Sequence, residues 1–453
     1  MLSDAATEAR SLDEILAALY PLAASYGMRV DVERSTLTGR VHRDNLDAYL
    51  ELFTDAFLHP RFDPEDFERV RSDAVNAIEN TLRFSSDEEL GKAALREFVF
   101  RGTPYAHPSE GTVAGLRAIT LDDVRAFYKR HYTRANVLLG LGGGFDDGLA
   151  ARMTAAIAEL PAGDKAAAPA IRPAEVTGRS ALLIDKPGAD ASISFGVPID
   201  VHRGERDFYA LWIANSWFGE HRNSASHLFQ VIREARGLNY GDYSYIEVFP
   251  DGGELNMPPV NVPRRTQLFE VWIRTLPNEQ APFALRAALR ELQLLIDNGM
   301  TAEQFELTRT FLKKYSLHFA ETTSARLGYA VDDKFYSIDG DGHLARFRRM
   351  MDELTLDEVN AAIKRHLGHR DLKIAMVTGN AAGLRALLAS DAPTPITYAT
   401  PKPDAILAED LEIAAWPLAL AAARIEVVPV ADAFALALDR TPLLQPQLLA
   451  TRE

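Results

Sequence analysis

Apolar positions along this chain recur at helical spacing in two stretches that read almost alike. In TLDDVRAFYKRH (120–131), Val124, Phe127 and Tyr128 fall on one helical face, as Val359, Ala362 and Ile363 do in TLDEVNAAIKRH (355–366). Thr120 with Asp123, and Thr355 with Glu358, carry the hydroxyl-x-x-acid signature of a capped helix start. A short apolar run ending in glycine follows each helix, NVLLGLGGG (136–144) and DLKIAMVTG (371–379), and each predicts a strand. From 119 and from 354, eight of fourteen consecutive positions are identical, including charged and capping residues that periodicity alone does not select.

The likeness extends upstream. Phe67, Glu68 and Arg71 match Phe305, Glu306 and Arg309, and Leu90, Gly91 and Phe98 match Leu327, Gly328 and Phe335. Both halves therefore read helix, helix with Leu-Gly, capped helix, strand, which is an internal duplication. The first half also predicts a helix in SLDEILAALYPLAAS (11–25) and strands in MRVDVE (28–33) and TLTGRVH (36–42). The second half is longer at its front. ALLIDKPGADASISFGVPI (181–199) predicts two strands around a Pro-Gly turn, ERDFYALWIANSWFG (205–219) and ASHLFQVIREA (225–235) predict helices, and LNYGDYSYIEVF (238–249) predicts a strand. The two opening strands and the first helix have no counterpart in the first half, and the expectation is that they belong before Met1. An Ala/Pro-rich stretch without periodicity separates the copies. The division expected is an N-terminal domain at 1–158, a linker at 159–180, a C-terminal domain at 181–392 and a tail at 393–453. Each domain is expected to be α+β, a mostly antiparallel sheet with helices on one face.

Composition narrows the function classes. A chain of 453 residues with 47% hydrophobic and 25% charged residues is too long for one core. Its 49 Lys+Arg against 64 Asp+Glu leave a net charge of −15, which argues against a general nucleic-acid binder. The absence of cysteine excludes disulfides, thiol catalysis and cysteine-ligated zinc. No apolar run reaches the length of a membrane span, and MLSDAATEARSLDEI lacks the basic and apolar regions of a signal peptide.

Two long stretches carry a resemblance: GTPYAHPSEGTVAGLRAITLDDVRAFYKRHYTRANVLLGLGGGF (102–145) and LFQVIREARGLNYGDYSY (228–245). In them the chain resembles the pitrilysin/insulinase-like (M16) zinc metallopeptidases, a family that includes the mitochondrial processing peptidase and core subunits of the respiratory bc1 complex. The resemblance covers nearly the whole chain. It implies two duplicated domains forming half of a clamshell, a Zn2+ cofactor, peptide substrates, and pairing with a second M16 chain as a homodimer or heterodimer. Export of bacterial relatives implies a periplasmic or secreted location.

Active members carry His-x-x-Glu-His on a helix, two metal-binding histidines one turn apart with a glutamate that activates the metal-bound water, and a third ligand glutamate on a later helix. The chain has eleven histidines and no such motif. His202 with Glu205 and His318 with Glu321 each lack the second histidine, while His366 and His369 lack the glutamate; all read as solvated surface residues. The repeat and the resemblance lead to the same expectation, that the motif-bearing helix belongs before Met1. FERVRSDAVNAIENTLRF (67–84) resembles the segment bearing the third ligand, and aligning Val75 puts that ligand at Glu79; another register puts Ile78 there, and an apolar residue cannot bind zinc. Ser72 stands where the family often has a supporting glutamate. By its own pattern Glu79 is an ordinary exposed helix carboxylate. Arg233 and Tyr240 match the family's substrate-gripping pair, where a cation and a phenol hold and polarise a peptide carbonyl; by spacing alone they are a surface charge and a half-buried ring. MRVDVE corresponds to the edge strand that receives substrate, with Asp31-Val32 in place of the usual Asn-Ala. Three functions follow: a zinc endopeptidase acting on unfolded peptides, recorded here without its metal motif; a motif-less partner subunit supplying Arg233 and Tyr240; or a structural core-type subunit.

Overall fold

The computed structural model describes residues 1–250 and 255–436; the end of the expected tail, 437–453, lies outside the described residues. The first half runs α1 (Leu12–Leu19), β1 (Ser25–Val30), β2 (Ser35–Arg40), α2 (Leu46–Leu58), α3 (Pro64–Asn76), α4 (Asp87–Phe100), α5 (Val113–Ala118), α6 (Leu121–His131) and α7 (Asp147–Ala158). The second runs β3 (Ser180–Asp185), β4 (Ala191–Ile199), α8 (Arg206–Gly219), β5 (Asp242–Tyr245), β6 (Gln267–Leu276), α9 (Ala281–Asn298), α10 (Ala302–Tyr315), α11 (Thr323–Phe335), α12 (Gly342–Glu353), α13 (Leu356–His366), β7 (Lys373–Thr378) and α14 (Ala381–Ser390). Then come α15 (Asp404–Ala414) and β8 (Ile425–Pro429).

The fold is α+β, and the second half carries its full sheet, in the order β5-β6-β4-β7-β3-β8. The pairs β5/β6, β4/β6 and β4/β7 are antiparallel; β3/β7 and β3/β8 are parallel. One face packs its alternate apolar side chains, such as Phe195, Phe269 and Val271, onto α8, α9 and α13 in the main core. The opposite face is covered as well, by α4 of the first half: Leu90, Ala94, Leu95 and Phe98 pack on Leu182, Ile184, Ala375 and Val377. The second half's own helices thus lie on one face of its sheet, as expected, and the other face is covered from the first half. The tail is part of the body too, because β8 extends the sheet beside β3.

Both copies of the repeated phrase form helices with complete capping boxes, at Thr120/Asp123 and at Thr355/Glu358. Their successors differ. Residues 373–378 form β7 between β3 and β4, and Ile374–Thr378 are buried. Residues 136–142 form no strand, and Val137 and Leu138 stay exposed. The physical reason is partnership. β7 is held on both sides by β3 and β4, and among the described residues the first half has no strand equivalent to either; a lone extended segment gains no ladder. The first half's only sheet among the described residues is the antiparallel hairpin β1–β2.

Several element boundaries also shift. The helix read over 11–25 ends at Leu19 in a short 3-10 turn, and the chain is already β1 at Ser25. The strand read over 238–249 shortens to β5. The helix read over 225–235 is a π-helical turn, Phe229–Glu234. Residues 161–177 of the linker have no regular structure.

Candidate functional site

Arg233 sits on that π-helical turn, whose inner residues Leu228 and Ile232 are buried. The turn closes on Gly237 at φ +72°, a left-handed conformation that suits glycine. Gly237 N–H donates to Arg233 O (2.7 Å), the ordinary bond of a helix end closed by a left-handed residue, and Leu238 N–H donates to Ile232 O (3.4 Å), one position further back than usual. π-Turns cost regular helix bonding and concentrate at functional sites.

Beyond the turn, Asn239 organises the next loop. Its amide donates to Asp242 Oδ1 (2.7 Å), its side-chain oxygen accepts from Gly241 N–H, and Gly241 O accepts from Arg274 N–H (3.1 Å). Asp242 is fully buried, which pushes its carboxyl well above the usual range. Tyr240 projects from this fixed loop and is 78% exposed. The Arg233 guanidinium lies 6.0 Å from the Tyr240 ring and 6.0 Å from the Phe229 ring, at the outer reach of a cation–π contact. Its nearby carboxylate is Glu234, at 3.5 Å. The structure thus brings Arg233 and Tyr240 together as an exposed donor pair on a buried frame.

Sequence reasoning missed what anchors this turn. Arg236, with its side chain fully buried, donates to Asp410 (2.8 Å), Glu409 (2.7 Å) and Val231 O (2.7 Å), and Lys402 donates to Ala235 O. Arg236 lies within the same REARGLNY stretch, but its partners are on α15, some 170 residues away, where no local pattern points.

Glu79 sits on a second π-helical turn, Ala77–Leu82, in a shallow depression with Arg83, Val113 and Arg117. It is ion-paired to Arg117 at 3.0 Å. Arg83 donates to Ala433 O (3.0 and 2.7 Å), so the tail rims this depression. No hydrogen bond or ion pair among the described residues joins Glu79 to Arg233 or Tyr240. His318 is an exposed surface residue, as read, and pairs with Glu321. His202 and His366 are half-buried and pair with Glu205 (2.9 Å) and Asp207 (2.7 Å), while His369 is buried. Among the described residues no group of three or more His, Asp or Glu converges as a metal site. Glu79, with an arginine as its neighbour, does not fit a zinc ion by itself. Of the expected substrate-edge segment, β1 pairs with β2 alone, and Asp31 lies just beyond it, gripped by Arg264 through bonds of 2.6 and 2.8 Å.

Residues 118–312 match the family described as the peptidase M16 inactive domain. An uncharacterized zinc protease of Mycobacterium tuberculosis is 23% identical over 364 residues, covering 80% of this chain and 78% of that one. Another, of Streptomyces coelicolor, is 28% identical over 281 residues, covering 60% of this chain and 56% of that one. Among solved structures, the M16 inactive domain from Pseudomonas fluorescens superposes with a TM-score of 0.71 at 22% identity, covering 83% of this chain and 85% of that one. A protease from Helicobacter pylori superposes with a TM-score of 0.69 at 16% identity, over 83% of this chain and 87% of that one. These matches, with the α+β fold, support this chain as a member of the M16 peptidase family.

Proposed function

We propose that this chain acts in peptide hydrolysis as the substrate-holding half of a zinc endopeptidase of the insulinase/processing-peptidase type, with Arg233 and Tyr240 gripping an unfolded peptide. The carrying observation is an exposed tyrosine and a half-exposed arginine, side by side on a frame held by the buried Asn239–Asp242 hydrogen bond. Arg233 can donate a charge-assisted hydrogen bond to a peptide carbonyl, and Tyr240 a neutral one. Donors fixed in advance need no reorganisation when negative charge builds on that oxygen. The relatives are named zinc proteases. The residues described here do not form such a metal site, so in this proposal a second M16 chain, paired with this one, carries the metal.

The test is binding of a fluorescently labelled unfolded peptide, read by anisotropy. The purified chain binds without cleaving. Arg233→Ala weakens binding by roughly 10–100-fold, the range of a lost hydrogen bond to a charged group, and Tyr240→Phe weakens it by less. Unchanged binding in both variants rules the proposal out.

A further inference from the structure

Arg96 and Phe100 stand one turn apart on α4, and so share a helix face. On β6, Leu268 and Glu270 share a face by strand alternation, and Leu268 packs there against α4. Between these faces, one from each half of the chain, lies a cavity of about 40 Å³, room for about three waters. Val32 and Tyr105 complete its wall, and the exposed Ser109 lies at its mouth.

Most polar groups on this wall already have partners. Arg264 holds Asp31, and Gln267 accepts from Val248 N–H (3.1 Å) and donates to Tyr336 (3.2 Å). Tyr105 donates to Glu33 and accepts from Arg265 N–H (3.0 Å), and His107 Nδ1 meets Pro108 O (2.6 Å). The charged groups left over are Arg96 and Glu270. Glu270 is 1% exposed and its Oε2 has no hydrogen-bond partner; the Arg96 Nε is buried and has none either. Among the described residues no ion pair joins the two. They are nevertheless near each other: burial raises the Glu270 carboxyl, and Arg96 is foremost among the charges that lower it. Lys92, the other cation near Glu270, is committed to Glu89 and to the Trp272 ring, 3.3 Å from its centroid. A guanidinium and a carboxylate that are partly desolvated and held out of contact leave each charge incompletely satisfied, which a bridging molecule would correct.

We propose that this cavity binds a small zwitterion, a free α-amino acid of the size of glycine or alanine, with its carboxylate on Arg96 and its ammonium on Glu270. A guanidinium matches a carboxylate with two parallel donors, and a carboxylate accepts from an ammonium at short range. An anion alone would leave Glu270 unpaired, and a cation alone would leave Arg96 so. The volume and the apolar Val32, Phe100 and Leu268 restrict the side chain to a hydrogen or a methyl. Because α4 and β6 come from different halves, the bound molecule ties the halves together. The inference stands independently of the peptide-gripping role of Arg233 and Tyr240.

The experiment is equilibrium dialysis of the full chain against radiolabelled glycine, with competitors. Glycine uptake saturates at about one per chain below about 10 mM, the range of a weak small-ligand site. Unlabelled alanine displaces it, whereas acetate, methylammonium and leucine at the same concentration do not. Arg96→Met weakens uptake by at least about tenfold, the scale of a lost hydrogen bond between charged groups. Glu270→Gln, which keeps the shape, does the same, and circular dichroism verifies that each variant is folded. Absence of saturable glycine uptake by the parent chain overturns the proposal whatever the variants do. So does displacement by acetate as effective as by alanine, which would make the cavity a plain anion site, and so does a folded Arg96→Met variant with the parent's affinity.

Discussion

Arg264 grips Asp31 with two hydrogen bonds, 2.6 and 2.8 Å long, and both side chains are buried. The pair joins the turn after β1 to the segment before β6, so it ties the two halves together. Arg265 with Glu33, and Arg34 with Asp332 (2.7 Å), extend the seam. Asp31→Ala leaves the Arg264 cation buried and unpaired, and the expected loss is ~3–5 kcal/mol. Replacing both partners, Asp31→Leu with Arg264→Met, recovers most of it, since neither charge then needs a partner. Urea titration of the three variants measures this; equal losses in the single and double variants would refute it.

Glu220 gives the stability a pH dependence of defined sign. It closes α8, is 6% exposed, and its Oε2 has no hydrogen-bond partner among the described residues. Burial pushes its carboxyl from 4.5 up to about 7. Because the folded value is the higher one, this group's contribution is fully present below pH 4.5 and is lost as pH rises through about 7. Glu220→Gln removes that loss. Its Tm matches the parent's at pH 4 and exceeds it at pH 8, by an amount set by roughly 1.4 kcal/mol per unit of displaced pKa. Parallel Tm–pH curves for the two proteins would show that Glu220 ionises freely in the fold.

Arg236 couples the Arg–Tyr pair to the tail. Arg236→Ala breaks the bonds to Glu409 and Asp410 and leaves a buried Asp410 without its cation. Amide exchange then speeds up in Phe229–Glu234 and in α15 together, and peptide affinity falls although Arg233 and Tyr240 are intact. Faster exchange in one segment without the other would separate the two elements.

The twin capping boxes make a matched pair of probes. Thr355→Ala removes a cap from α13, whose Val359, Ala362 and Ile363 are buried, and lowers global stability by ~1 kcal/mol. Thr120→Ala removes the same cap from α6, which has no buried residue. That loss appears as faster exchange across 121–131 with little change in the urea midpoint. Equal shifts of the midpoint would mean that α6 shares the cooperative core.

The repeated phrase determined its own local structure. Thr120 and Thr355 cap their helices because each box depends on residues three positions apart, and Arg233 and Tyr240 meet across one turn that Arg236 then anchors to α15. Pattern alone also carried the duplication, since identical spacing in both halves reflects identical element order. What the pattern could not decide was pairing. VLLGLG and KIAMVT have the same apolar character, yet only the second is a strand, because β3 and β4 flank it and, among the described residues, nothing equivalent flanks the first. A strand's stability resides in its neighbours' hydrogen bonds, and those neighbours can be distant in sequence. For the same reason only the tertiary structure revealed α4 lying across the other half's sheet, Asp31 held by Arg264, and Arg236 anchored on α15. Each is a contact between segments far apart in the chain, where burial removes water and leaves each polar group to find its partner in whatever segment the fold brings near.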